Sequence, residues 1–254
     1  MTSQVFARRM PRTAMRCYTA AAGRVRRNHF LFRQLFGFLP PPEMRGQLWD
    51  WTTILLLRAL REQLKPGGAF LDMGAGPVAV LGIYARQTLQ SGRVCAVDYV
   101  PAVVQCARHT AALAHADIEV VQSSLFSEVR GEFDMIAFNA PYIDATSGTR
   151  LSVLDSELAC QRWCGGADGM ETISRFLATA HEFLTPGGEI LLGVNRFYVL
   201  DAAVRECAQR TGSLVERTWM NRATRAAVFL LRPASPLRES ASGESSSASI
   251  NSAE

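Results

Sequence analysis

Lysine is almost missing from this chain: Lys65 stands alone among 254 residues. No Tyr-x-x-x-Lys pair exists, and the one lysine sits in a turn, which counts against a nicotinamide-linked oxidoreductase. Long apolar runs are missing too. A bilayer span needs about 18 to 20 apolar residues, and Ile54 to Leu57 is far shorter, so no membrane partner is expected. The basic N-terminus lacks the apolar segment of a secretory signal. The six cysteines (Cys17, Cys95, Cys106, Cys160, Cys164, Cys207) contain no CxxC pair and no zinc-type spacing. Cys160 and Cys164 could share a helix face, but two ligands do not make a site, so no metal is expected. Free thiols in a reducing, cytoplasmic setting follow from the same count. Acid is absent from the first 42 residues, which hold Arg8, Arg9, Arg12, Arg16, Arg24, Arg26, Arg27 and Arg33. That block reads as a solvated basic arm, a phosphate grip for nucleic acid, or an organelle transit segment. Oligomeric state leaves no trace in the sequence.

What is present is a run of alternating strands and helices with no internal repeat. Residues 1 to about 30 have weak periodicity and are expected to be partly disordered. Phe30, Phe32, Phe36 and Phe38 form an aromatic patch that Pro40-Pro41-Pro42 ends. A helix is expected over Gln47 to Leu64, then strand Ala69 to Asp72, helix Val78 to Leu89, strand Arg93 to Asp98 and helix Pro101 to Ala114. Strands Ile118 to Gln122 and Phe133 to Phe138 follow. Residues 144–166 form a long polar segment with a short helix from Asp155 to Trp163, and such loops are usually functional. Helix Met170 to Leu184, a turn at Thr185-Pro186-Gly187-Gly188, strand Glu189 to Val194 and helix Val199 to Arg210 come next. Leu214 to Met220 and Ala226 to Leu231 should pair as an antiparallel hairpin. Residues 1–46 then form a basic, partly helical extension, 47–232 the main domain, and 233–254 a disordered tail. The expected fold is α/β, a Rossmann-like, mostly parallel seven-stranded sheet closed by the antiparallel hairpin.

Two stretches carry chemistry. Leu71-Asp72-Met73-Gly74-Ala75-Gly76-Pro77 reads as a strand, a glycine turn and a helix start, the place where open α/β sheets bind ligands. The same run satisfies the dinucleotide pattern G-x-G-x-x-A. Asp98, ending the next strand, would accept ribose hydroxyls from either kind of cofactor. Asp72 discriminates between them: it would repel a pyrophosphate at the helix amides and welcome an ammonium group, which S-adenosylmethionine (SAM) carries. Asn139-Ala140-Pro141-Tyr142 ends a later strand on the same sheet edge. Asparagine and proline are common in plain turns. Paired with the first motif, this one reads as a grip for a conjugated nitrogen. The Asn139 oxygen and Ala140 carbonyl would accept its two N–H bonds, Pro141 would stiffen the turn, and Tyr142 would offer a flat face.

At these residues the sequence resembles the class I SAM-dependent methyltransferases, and among them the HemK/PrmC type that methylates release-factor glutamine. The stretches that carry the resemblance are Leu71 to Gly76, Ala96-Val97-Asp98 with Pro101, Val121 to Ser127, Asn139 to Asp144, Gly165-Gly166-Ala167-Asp168-Gly169-Met170 and Leu184 to Gly188. The family implies SAM as methyl donor, Asp72 at its ammonium, Asp98 with Tyr99 at its ribose, Ser124 and Leu125 against its adenine, and Gly74, Ala75 and Gly76 at the turn. Asn139 and Tyr142 would lie at the target nitrogen. Ala140 stands where the family has a proline, Ser124 where it usually has an acid, and Leu48-Trp49-Asp50-Trp51-Thr52-Thr53 where it has a Pro-Arg-x-x-Thr-Glu type segment. The expected activity is N-methylation of a planar amide or amine, with a protein glutamine as acceptor. A small molecule or peptide, an exocyclic amine of nucleic acid, and a SAM-binding regulator without turnover are the alternatives.

Overall fold

A computed structural model describes residues 11–42, 44, 49–154 and 156–234. The order of elements is α1 (Arg12–Arg26), α2 (His29–Phe36), α3 (Trp51–Gln63), β1 (Phe70–Met73), α4 (Val80–Gln87), β2 (Val94–Asp98), α5 (Pro101–Leu113), β3 (Glu119–Gln122) and β4 (Phe133–Asn139). Then come α6 (Ala145–Leu151), α7 (Glu157–Trp163), α8 (Glu171–Ala180), a 3-10 turn (His181–Phe183), β5 (Leu184–Asn195), α9 (Asp201–Arg210), β6 (Ser213–Met220) and β7 (Ala226–Pro233). One seven-stranded sheet runs β3-β2-β1-β4-β5-β7-β6. The first five strands are parallel, and β7 and β6 are antiparallel additions at one edge. The expected mixed sheet is therefore what forms.

Alternation of helices to the two faces buries the sheet between two apolar layers. α8 and α9 bring Phe176, Leu177 and Val204 against Leu71, Ile136 and Leu192 on one face. α3 and α4 bring Leu56, Leu60 and Ile83 against Phe70, Ala137 and Leu191 on the other. β1 is buried at all four residues, Asp72 included, and β2 reads as an unbroken apolar run over Val94 to Val97, as strands covered on both faces do. β2 lies on one side of β1 and β4 on the other. Chain crossovers reverse direction at this point, so a crevice opens at the carboxyl ends of β1 and β4.

Several element boundaries move from the sequence-based expectation, each for a local reason. The helix expected from Gln47 begins at Trp51, because Asp50 caps it: Thr53 N–H donates to Asp50 Oδ1 at 2.7 Å, and Asp50 N–H donates back to Thr53 Oγ1. Gln47 and Leu48 lie outside the described residues. Thr185 to Gly188 is not a turn ahead of β5 but an irregularity inside it, since Phe133 pairs with Leu184 while Met135 pairs with Glu189. The expected helix to Leu184 stops at Ala180 and tightens into the 3-10 turn. Residues 144–166 hold two short helices, α6 and α7, and not one. Their base is tied by Ile143 N–H to Trp163 O and Gly165 N–H to Ile143 O, both at 3.0 Å.

The basic arm is helical from Arg12. α2 buries Phe32 against Phe38 and Phe36 against Trp49, whereas Phe30 is exposed. Residues 1–10 and the tail from 235 onward lie outside the described residues, and β7 itself reaches Pro233.

Candidate functional site

The crevice holds a cavity of about 390 Å³. Asp72, Gly74, Ala75, Gly76, Asp98, Tyr99, Ser124, Leu125, Asn139 and Pro141 all line it. Gly74 and Gly76 have φ of +63° and +67°, the left-handed region that glycine enters without a Cβ penalty. A Cβ on Gly74 would stand 2.9 Å from Phe138 Cε2, so the turn can pass under that ring only as glycine. Asp98 joins the turn to the end of β2: its Oδ2 accepts from Gly76 N–H and its Oδ1 from Val100 N–H, both at 3.1 Å. Burial pushes the Asp98 carboxyl above its usual range.

Asp72 is 2% exposed and accepts one backbone bond, from Gly82 N–H at 2.9 Å. Burial pushes its pKa up to about 7, the Gly82 bond opposing and Asp98 adding to the rise. Neither neighbour is a cation. A buried carboxyl so placed on a cavity wall is stabilised when a cationic ligand group arrives.

Asn139 ends β4 and Tyr142 follows three residues on. Asn139 Nδ2 donates to Asp50 Oδ1 at 3.3 Å, and the Tyr142 hydroxyl donates to Asp50 Oδ2 at 3.2 Å. Asp50 is 5% exposed. A carboxylate only accepts, so it fixes the amide with its NH₂ inward. Asn139 Oδ1 is left buried without a partner among the described residues. Burial, with the Asp50 charge second, pushes the Tyr142 hydroxyl well above its ordinary range, which keeps it a neutral donor. Its ring stacks on Tyr198 at 6.0 Å between centroids.

Tyr142 lines a second cavity, of about 550 Å³, and Asp50 lines both. Ala140 is fully buried, pairs its N–H with Gly193 O, and lines neither. The Gly165 to Gly169 stretch lies against this turn: a Cβ on Gly165 would meet Pro141 O at 2.7 Å, and one on Gly169 would meet Tyr142 O at 2.6 Å. These glycines therefore let the backbone of α7's exit support the Pro141–Tyr142 segment.

Three residues that build the site escape a reading of motifs alone. Asp50 was hidden inside a helix drawn too long, although an Asp-x-x-Thr cap ahead of an apolar run marks it. Gly82, one turn into α4, supplies the donor to Asp72, and nothing in its spacing announces that. Arg162 of α7 faces Asp98 and Asp50, its pKa lowered by burial. The same helix reaches the end of β2 where the Tyr99 hydroxyl donates to Gln161 O at 2.7 Å.

Residues 46–157 match the methyltransferase small domain family. A release factor glutamine methyltransferase of Deinococcus radiodurans is 32% identical over 157 residues, 61% of this chain and 52% of that protein. A putative protein N5-glutamine methyltransferase of Methanocaldococcus jannaschii is 30% identical over 138 residues, 54% of this chain and 66% of its own length. The chain thus spans about half to two thirds of the length of these two relatives. A methyltransferase structure from Pyrococcus furiosus superposes with a TM-score of 0.61 at 18% identity, covering 88% of this chain and 98% of that one.

Proposed function

From a chain that carries a HemK/PrmC-like class I methyltransferase domain, we propose a SAM-dependent N-methyltransferase whose acceptor is a planar amide, a protein glutamine side chain first among them. The names of the two glutamine methyltransferases above support that acceptor. The observation that carries the reading is the orphaned Asn139 Oδ1, a buried acceptor held open beside the cavity by Asp50. An unpaired buried acceptor costs about 1–3 kcal/mol, and a ligand N–H would satisfy it.

The residues fit SAM. Asp72 would hold the ammonium, Asp98 the ribose hydroxyls, and Ser124 and Leu125 would lie along the adenine. Gly76 leaves the space that the ligand backbone needs, and Gly74 lets the turn pass under Phe138. When bound, SAM supplies an electrophilic methyl group on a sulfonium. The chain's residues do the rest. Asn139 Oδ1 accepts an N–H of the acceptor amide and turns its nitrogen toward the cofactor cavity. Tyr142 lies along the flat amide, held by Asp50 and Tyr198. Held in this way, the nitrogen would face the methyl group that bound SAM would supply, and the proton it loses would go to solvent, so no general base is required of the chain. Positive charge growing on nitrogen is met by an oxygen already in place, without reorganisation.

The domain limits 47–232 follow the same reading, with residues before 47 as an extension on the acceptor side. Asn139→Ala is the test. Turnover should be lost while S-adenosylhomocysteine binding stays within about two-fold. Unchanged turnover would remove Asn139 from the chemistry.

A further inference from the structure

The second cavity lies across Asp50 and Tyr142 from the cofactor cavity, and the end of α1 walls it. Its volume, about 550 Å³, is that of a site for a small ligand or a short peptide segment. Tyr18, Trp51, Tyr142, Trp163 and Tyr198 make its walls flat and aromatic. Of its polar groups, the Asp50 carboxylate is already engaged by Thr53, Asn139 and Tyr142. Two cations line it as well, Arg225 and, from the last turn of α1, Arg26.

Arg26 is held between two rings, its guanidinium carbon 6.0 Å from the Tyr18 centroid and 5.8 Å from that of Trp51. Nη2 donates to the Tyr18 hydroxyl at 3.2 Å. Nε is buried and has no hydrogen-bond partner among the described residues. Thr224 Oγ1, on the β6–β7 turn that also lines the cavity, is likewise buried and unpartnered among the described residues. Thr52 Oγ1 lies near the Tyr142 hydroxyl without completing a hydrogen bond. Three unsatisfied polar atoms around one cavity imply a polar occupant. A stacked guanidinium with a free N–H is preorganised for a carboxylate. An amide against the Asp50–Tyr142 wall, beyond which Asn139 lines the cofactor cavity, and an anion on Arg26 would give one ligand a single orientation.

We propose that this second cavity is the acceptor site, that its ligand is a glutamine-type amide with a carboxylate a few bonds away, and that Arg26 of α1 binds that carboxylate. This rests on the methyl-transfer reading and narrows its acceptor. The carboxylate can belong to a free small molecule or to an acidic residue next to the glutamine in a peptide. The shared chemistry is the same.

The full chain, saturated with S-adenosylhomocysteine, would be titrated calorimetrically with three probes: N-acetylglutamine, its neutral methyl ester, and a blocked Gln-Glu dipeptide. The acid should bind about ten-fold or more tightly than the ester, as expected of one charge-assisted hydrogen bond. Tighter binding of the dipeptide than of N-acetylglutamine would assign the carboxylate to a peptide, and the reverse to a free acid. Arg26→Gln should erase the difference between acid and ester, and Arg26→Lys should restore part of it. Equal binding of acid and ester to the unaltered chain overturns the inference, as does an unchanged preference in Arg26→Gln or no binding of any probe. In each of those cases the transfer reading stands or falls separately, on whether turnover depends on Asn139.

Discussion

Asp50 Oδ1 and Asn139 Nδ2 lie 3.3 Å apart across 89 residues of sequence, and through that contact the cap of α3 orients the end of β4. Tyr142 shares the same carboxylate through Oδ2. One acid thus sets both the amide that grips and the ring that flanks. Asp50 touches neither reacting atom and acts as a positioning residue.

Asp50→Asn separates the two jobs of this side chain. Asparagine caps helices about as well as aspartate, so α3 should persist with a stability change near or under about 1 kcal/mol. A single carbonyl oxygen cannot serve Thr53, Asn139 and Tyr142 together, and a new NH₂ faces one of two donors. Turnover should fall about ten-fold or more, with S-adenosylhomocysteine affinity nearly unchanged. Equal loss of cofactor binding and turnover, read by calorimetry beside steady-state rates, would show a general collapse of the site and not a loss of orientation.

Asp72 makes both stability and ligand binding depend on pH. Its pKa rises from 3.8 to about 7 on folding, so the native state holds a proton that the unfolded chain has released between those values. Stability therefore falls as pH climbs from about 4 through 7, by up to roughly 4 kcal/mol, and levels off above. Asp72→Asn stays neutral throughout. Its thermal midpoint, measured against the parent, should gain at pH 8 relative to pH 4.5. Affinity for S-adenosylhomocysteine should rise through pH 7 in the parent, as the ionised carboxylate becomes available to the ammonium, and should be weak and flat in the variant. A parallel pH profile for the two proteins would contradict the cationic partner assigned to Asp72.

The sheet was legible from the sequence because its central strands are buried on both faces: Phe70 to Met73 and Val94 to Val97 leave little alternative to a parallel core. The positions of Asp72, Asp98 and Asn139 at one edge followed from the strand ends alone. What sequence could not supply was contact between distant segments. Asp50 meets Asn139, Tyr99 meets Gln161, and Arg26 enters a cavity built from five separate stretches. The arginines of the arm looked uniform as composition, yet Arg24 and Arg27 are exposed while Arg26 turns inward between two rings. Periodicity reports which face of a helix is buried, not which neighbour it meets.

Gly74 and Gly76 look equivalent in sequence and in φ, but the space around them differs, and so should their alanine variants. Both would carry the left-handed backbone cost of an L-residue, about 1–2 kcal/mol. At Gly74 the new methyl would also press on the Phe138 ring at 2.9 Å. Phe138 is 3% exposed and packs against Phe176 at 4.7 Å between centroids, so it has little room to give. Gly74→Ala should therefore lose stability beyond the backbone cost, by a further 1 kcal/mol or about that. At Gly76 a Cβ meets nothing within 4 Å, because the space beside it is the cofactor cavity. Gly76→Ala should fold with only the backbone cost and lose S-adenosylhomocysteine affinity about ten-fold or more by occupying that space. Chemical denaturation and calorimetry on the two variants give four numbers. If Gly76→Ala binds as the parent does, the open space at Gly76 is not where the ligand sits, and the cradle assigned to the first motif must lie elsewhere along β1.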